Sequence, residues 1–117
     1  MANQKHQGES YEFITVDTAP GADGYWTNPV MARNKGQLDR LFLSARDEDE
    51  STTASATVTL QYRYLGDTVW QTYVDPNIDE YVVGGRYLIE DYGACEWRAG
   101  VESGGYVSGT VKLGLDW

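Results

Sequence analysis

Four consecutive acidic residues, Asp47-Glu48-Asp49-Glu50, form the densest chemistry-bearing run in the chain, and clustered carboxylates can hold a hard cation such as Ca²⁺. The spacing points away from that use. A calcium loop alternates its oxygen ligands, bends at a glycine and closes on a distant glutamate, whereas Ser51-Thr52-Thr53 follows here without a glycine. A solvated acidic loop is expected. Asp75, Asp79, Glu80, Glu90 and Asp91 are scattered through turns and imply no metal. His6 is the only histidine, set in a polar stretch without a base, nucleophile or second ligand beside it, so neither a Ser-His-Asp triad nor a zinc site is expected. Cys95 is the only cysteine and has no flanking His, Lys or Arg to lower its pKa. Its alternation with Trp97 suits a small buried hydrophobe. Gly84-Gly85 and Gly104-Gly105 lead into no helix, so no phosphate loop is read there. No enzyme, metal or cofactor is expected. The remaining chemistry is aromatic: Trp26, Trp70, Tyr81 and Tyr87 are candidates for a platform on which a sugar ring stacks, although core and subunit contacts use such rings more often.

The elements that must position these rings read as strands. Turn signals recur at Pro20-Gly21-Ala22-Asp23-Gly24, Asn34-Lys35-Gly36, Gly66-Asp67, Asp75-Pro76-Asn77, Gly84-Gly85, Tyr92-Gly93 and Ser103-Gly104-Gly105, with β-branched and aromatic runs between them. That rhythm is the signature of a sandwich or barrel. Strands are expected near 11–16, 25–31, 38–45, 54–65, 67–74, 79–83, 86–90, 94–101 and 106–116. The fold class is therefore all-β, a single antiparallel sandwich or barrel of about eight to nine strands. Ala56, Val58, Leu60, Tyr62 and Tyr64 alternate with Thr57, Thr59, Gln61 and Arg63, which marks a central strand, and Gly66 is expected to turn it into a hairpin. Cys95 to Val101 and Tyr106 to Trp117 alternate as strictly, and Glu102-Ser103-Gly104-Gly105 is read as the tight connector of a second hairpin.

With 117 residues the chain suits one domain that buries roughly 65% of its unfolded surface. Residues 1–10 read as an extended polar arm and 11–117 as the β domain. Met1 to Gly8 contains no apolar signal-like core, and no run of about 18 apolar residues occurs, so neither a cleaved signal nor membrane insertion is expected. A formal charge of −9 repels phosphate backbones, which makes nucleic acid an improbable partner.

Two early strands are apolar on both faces. Tyr11 and Phe13 alternate with Ile14 and Val16, and Leu38 and Phe42 alternate with Leu41 and Leu43. A small sandwich covers only one face of each sheet, whereas two-sided apolar strands belong where both faces are covered. The second cover is another subunit, the N-terminal arm or a corner of the fold. Tyr11, Phe13, Leu38 and Phe42 are the candidate interface residues.

Several phrases resemble small accessory virion proteins of tailed bacteriophages: Trp97-Arg98-Ala99-Gly100-Val101, Ser103-Gly104-Gly105-Tyr106-Val107-Ser108-Gly109-Thr110, Gly114-Leu115-Asp116-Trp117 and Ala56-Thr57-Val58-Thr59-Leu60-Gln61-Tyr62-Arg63. The resemblance covers about half of the chain and lies in the style of its β-hairpin phrases. It implies a β-sandwich or barrel that binds the outside of a capsid as a decoration or cement protein, often as a homotrimer. The major capsid protein would be its partner, and it would be made in the host bacterial cytoplasm and carried on the virion exterior. Others of these virion proteins are head fibres or tail and neck components; a glycan- or receptor-binding module of a head fibre or tail, and a neck or tail connector, are the alternative expectations. The resemblance supplies no catalytic residue and no fixed contact motif.

Overall fold

The computed structural model describes residues 11–31, 41–48, 53–89 and 95–117. The arm expected at 1–10, His6, Leu38, Asp49, Glu50, Glu90 and Asp91 lie outside the described residues.

The alternating segments form ten strands: β1 Tyr11–Val16, β2 Tyr25–Trp26, β3 Leu41–Asp47, β4 Ser55–Tyr64, β5 Gln71–Thr72, β6 Tyr81–Val82, β7 Arg86–Ile89, β8 Cys95–Val101, β9 Tyr106–Ser108 and β10 Val111–Asp116. They pair antiparallel in two sheets. One has the order β1-β10-β3-β7, and the other runs β2-β8-β4-β5 with β6 and β9 also on β4. Of the all-β sandwich or barrel of about eight to nine strands expected from the alternation, the chain builds two antiparallel sheets with ten strands, the segment expected as one strand over 106–116 forming two.

Period-two alternation explains the core. From the four-stranded sheet Val16, Leu41, Leu43, Ala45, Ile89, Val111, Leu113 and Leu115 face inward, and from the other sheet Ala56, Val58, Leu60, Cys95, Trp97, Ala99 and Val101 meet them. Burial of each large aliphatic side chain stabilises by roughly 1.5–3 kcal/mol. Trp97, 1% exposed, centres an aromatic cluster with Tyr62 and Tyr73, its ring centroid 5.4 Å from each.

The hairpin at Gly66 forms: β4 pairs with β5 through Gln61↔Thr72, the turn closes with the Asp67 N–H donating to the Tyr64 carbonyl at 2.9 Å, and Gly66 takes φ +90°. The C-terminal hairpin does not. β8 pairs with β4 from Thr59↔Gly100 to Tyr64↔Cys95, and β9 pairs with the same edge of β4 further along, at Ala56↔Tyr106. The chain therefore keeps its direction from Cys95 to Ser108, and Glu102 to Gly105 is a bulge in one long edge, closed by the Gly105 N–H on the Glu102 carbonyl at 2.9 Å.

The segment 106–116 also divides. Gly109, at φ +78°, lets the chain leave the six-stranded sheet, and a Cβ there would lie 2.7 Å from Ala54 Cα. The Tyr106 hydroxyl secures the crossing by reaching the Gly109 carbonyl at 2.8 Å and the Asp17 carbonyl at 3.0 Å. Alternation survives on each side of the crossing but not across it. Val107, which unbroken alternation over 106–116 would put on the side of the buried Val111, is 67% exposed.

Candidate functional site

The register assigns each sheet an outer face. On the four-stranded sheet Tyr11, Asp116, Phe42 and Leu88 form one cross-strand row, and Phe13, Gly114, Ser44 and Arg86 form the next. Three of the candidate interface residues, Tyr11, Phe13 and Phe42, thus share one surface; Leu38 lies outside the described residues. Tyr11 is 64% exposed and packs edge-on against Phe13 with centroids 5.8 Å apart. Phe13 lies on Gly114, where an added Cβ would come 2.8 Å from the Phe13 ring. Cations cover part of the apolar surface. The Arg86 guanidinium sits 3.7 Å from the Phe42 ring centroid while bonding Asp116 Oδ2 at 2.8 Å, and Lys112 Nζ lies 5.7 Å from the Phe13 ring. Leu88 and Arg86 carry no motif in the sequence, although the alternation of Leu88 with the inward Ile89 marks its side.

The other outer face is built from tryptophan and arginine. Trp26 lies beside Gly100, where a Cβ would come 2.7 Å from its ring, and its Nε1–H donates to the Asp23 carbonyl at 2.7 Å. The Arg98 guanidinium lies over both indoles, 4.2 Å from Trp26 and 4.5 Å from Trp70, and Arg63 lies 4.4 Å from Trp70. Arg98 donates twice to Gln61 Oε1, at 2.9 and 2.7 Å, and Arg63 pairs with Glu96 at 2.8 Å. Burial, and then the neighbouring positive charge of Arg63, lower the Arg98 pKa from its usual value. The five cations among the described residues, Arg46, Arg63, Arg86, Arg98 and Lys112, all lie on these two faces.

The four-ring platform does not assemble. Trp26 and Trp70 share the outer face, but Tyr81 and Tyr87 pack together inside, with centroids 4.8 Å apart. Tyr87 opposes the core residue Leu43, so strand parity turns it inward, and its hydroxyl oxygen accepts from the Val82 N–H at 3.2 Å. Tyr81 is buried, and its hydroxyl has no hydrogen-bond partner among the described residues. Burial first, and the nearby Asp75 charge second, push its pKa up to about 12.

No family model, curated protein or solved structure matches this chain. Its own geometry carries the functional reading.

The acidic run has structural duties where it is described. Asp47 Oδ2 accepts from the Ala54 N–H at 2.9 Å, tying β3 to the start of β4, and Glu48 lies 3.9 Å from Arg46. Cys95 is buried. Among the described residues no three His, Cys, Asp or Glu side chains gather as a metal site, and no helix is long and apolar enough to cross a membrane.

Proposed function

We propose that the protein is a structural virion component, a decoration or cement protein that docks on the outer surface of a tailed-phage head and stabilises it. The observation that carries this reading is the outer face of the four-stranded sheet. Tyr11, Phe13, Phe42 and Leu88 lie on adjacent positions of one pleated surface, with Arg46, Arg86 and Lys112 around them. Large rings held on a rigid sheet bury much area at little entropic cost, and aromatic and arginine side chains dominate the energetics of protein interfaces. The resemblance of the β-strand phrases to accessory virion proteins implies the major capsid protein as the occupant of that face. Trimerisation belongs to the same proposal. Binding the assembled shell in preference to its free subunits stabilises the shell by mass action.

Particles with and without the protein, heated in parallel, test the reading. Loss of packaged DNA at a lower temperature from particles lacking it, restored by the native protein but not by Phe13→Asp/Phe42→Asp, is the expected result. Equal heat resistance of all three would overturn cementing. A count of copies per particle separates cement, present in hundreds, from a neck or tail connector in a single ring.

A second reading, a glycan- or receptor-binding module, is favoured by one observation. Trp26 borders an open cleft of about 220 Å³ with Asp23, Gly24, Glu102 and Ser103, and an indole beside carboxylates and a hydroxyl suits a sugar. Binding on a glycan array that disappears with Trp26→Ala would favour it over cementing; a flat array would remove it.

A further inference from the structure

We propose, resting on the docking read for the outer face of the four-stranded sheet, that this face takes an apolar protein surface bearing an aspartate or glutamate, and that Arg46 and Lys112 together hold its carboxylate. A third cross-strand row follows the two that carry the rings: Thr15 pairs with Lys112, and Lys112 with Arg46. Parity turns this row outward, because Val111 and Leu113 on either side of Lys112, and Ala45 beside Arg46, are buried. Two cations therefore stand directly opposite each other on neighbouring strands.

Like charges directly opposite on adjacent strands weaken a sheet, and little among the described residues offsets this pair. Lys112 makes no ion pair there, and the Phe13 ring it stands over is 5.7 Å away. Arg46 reaches only Glu48, at 3.9 Å, with 64% of its side chain exposed, and an ion pair so long and so wet contributes little. Across the three rows the cations Arg46, Arg86 and Lys112 face one carboxylate, Asp116, which Arg86 already binds at 2.8 Å. The chain as a whole carries a charge of −9, so this positive surplus is local and opposite in sign to its surroundings.

A charge arrangement that weakens the free molecule finds its compensation in a bound one. A carboxylate set between the two heads accepts from a guanidinium and an ammonium at once and turns their repulsion into shared attraction. Phe13 occupies the next row and packs against Tyr11, so apolar side chains flanking that carboxylate meet aromatic rings. A polyphosphate would be drawn to the same cations, but it brings many charges against the net −9 and makes no use of the rings. A protein surface brings one carboxylate and the apolar contact together.

The test is an NMR titration of the full chain with acetyl-Leu-Thr-Glu-Thr-Leu-amide, whose extended form puts the glutamate and both leucines on one side, and in parallel with its glutamine analogue. The expected result is saturable shifts at Arg46, Lys112 and Phe13 with the glutamate peptide, at roughly millimolar Kd, and binding of the glutamine peptide weaker by at least about threefold. Arg46→Gln/Lys112→Gln should erase that preference. Its urea midpoint should equal or exceed the native one, because the two charges repel each other in the free protein. Equal binding of the two peptides, no saturable shift with the glutamate peptide, equal affinity for inorganic phosphate, or a lowered midpoint in the double variant would each overturn the carboxylate site. Self-association of the native protein that the double variant abolishes would give the site to a second copy and overturn its assignment to a partner. Capsid shells keep the docking itself separate. Shells that do not bind the native protein would end the capsid reading and leave the peptide titration to decide the site. Shells bound equally by the native protein and the double variant, yet not by Phe42→Ala, would leave the docking standing and overturn the carboxylate site.

Discussion

The two outer faces use the same ingredients and finish differently. On the six-stranded sheet each aromatic ring and each cation is tied to another: Arg98 over Trp26 and Trp70 while bonding Gln61, and Arg63 over Trp70 while bonding Glu96. On the four-stranded sheet the ties are sparser. Arg86 joins Phe42 to Asp116, Lys112 stands over Phe13 at longer range, and Tyr11 keeps most of its surface in water. Arginine on tryptophan can complete a surface within one molecule. The face left less complete is the one with contact area to offer, and for that reason docking is assigned to it.

The feature the faces share gives the largest expected effect. Each lays a ring on a glycine, Trp26 on Gly100 and Phe13 on Gly114, and a Cβ at either glycine would strike a backbone oxygen of the neighbouring strand, that of Tyr25 or of Glu12. Backbone cannot swing aside as a side chain does. Gly100→Ala and Gly114→Ala should each cost about 3 kcal/mol, read as a lowered urea midpoint. A midpoint unchanged in either variant would mean that its strand pair is looser than the register implies, and the two faces would no longer be comparable.

The next effect separates them. Trp70→Ala removes a ring that two guanidinium groups cover and should cost about 2 kcal/mol, whereas Phe42→Ala should cost about 1 kcal/mol or less. Function should reverse the order. Binding to capsid shells should fall at least tenfold in Phe42→Ala, about 1.4 kcal/mol, and remain unchanged in Trp70→Ala. Equal loss of shell binding in both would dissolve the assignment of one face to docking.

What the sequence disclosed, and what it hid, follows from the range of the interactions. Alternation is local, so the inward sides of β4, β8 and the β10 part of the last segment could be read directly, whereas β1 and β3, apolar on both faces, disclosed only which residues share a side, such as Tyr11 and Phe13. Which strand neighbours which is not local. The C-terminal segments look like a hairpin because both alternate on either side of a Gly-rich stretch, yet β8 and β9 lie end to end on β4 while β10 crosses to the other sheet. Nothing in Glu102-Ser103-Gly104-Gly105 distinguishes a bulge from a turn; the free edge of β4 beyond Thr59 decides it. The rings show the same limit. Tyr87 could have been placed inward from the alternation of Arg86–Ile89, but the meeting of Trp26, Arg98 and Trp70 joins residues 28 or more positions apart and depends on a register that the sequence does not print.

A smaller effect tests whether the six-stranded face is complete by hydrogen bonding as well as by stacking. Gln61 is buried on the outward side of β4 because Arg98 covers it, and its Oε1 accepts both guanidinium bonds. Arg98→Met leaves that oxygen without its donors and should cost about 1.5 kcal/mol. Gln61→Met added to it should recover about 1 kcal/mol, since an apolar pair of similar shape needs no hydrogen bond. Strict additivity of the two substitutions would show that the pair is not coupled.

The smallest effect concerns Arg86, the only described ion-pair cation on the four-stranded face that also covers a ring. Its side chain is half exposed while that of Asp116 is largely buried, so the pair is anchored at the acid and screened at the base. Screening limits the ionic part to a few tenths of a kcal/mol; stacking on Phe42 adds about 0.5 kcal/mol. Arg86→Lys keeps the charge but loses the planar group that bonds and stacks at once, and it should cost about 0.5 kcal/mol. In about 1 M salt, where the Debye length is near 3 Å, that cost should shrink only slightly, because the stacking that is lost depends little on ionic strength. A cost that vanished in salt would reduce Arg86 to a surface ion pair and leave Phe42 uncovered, making this face still more open than its partner across the core.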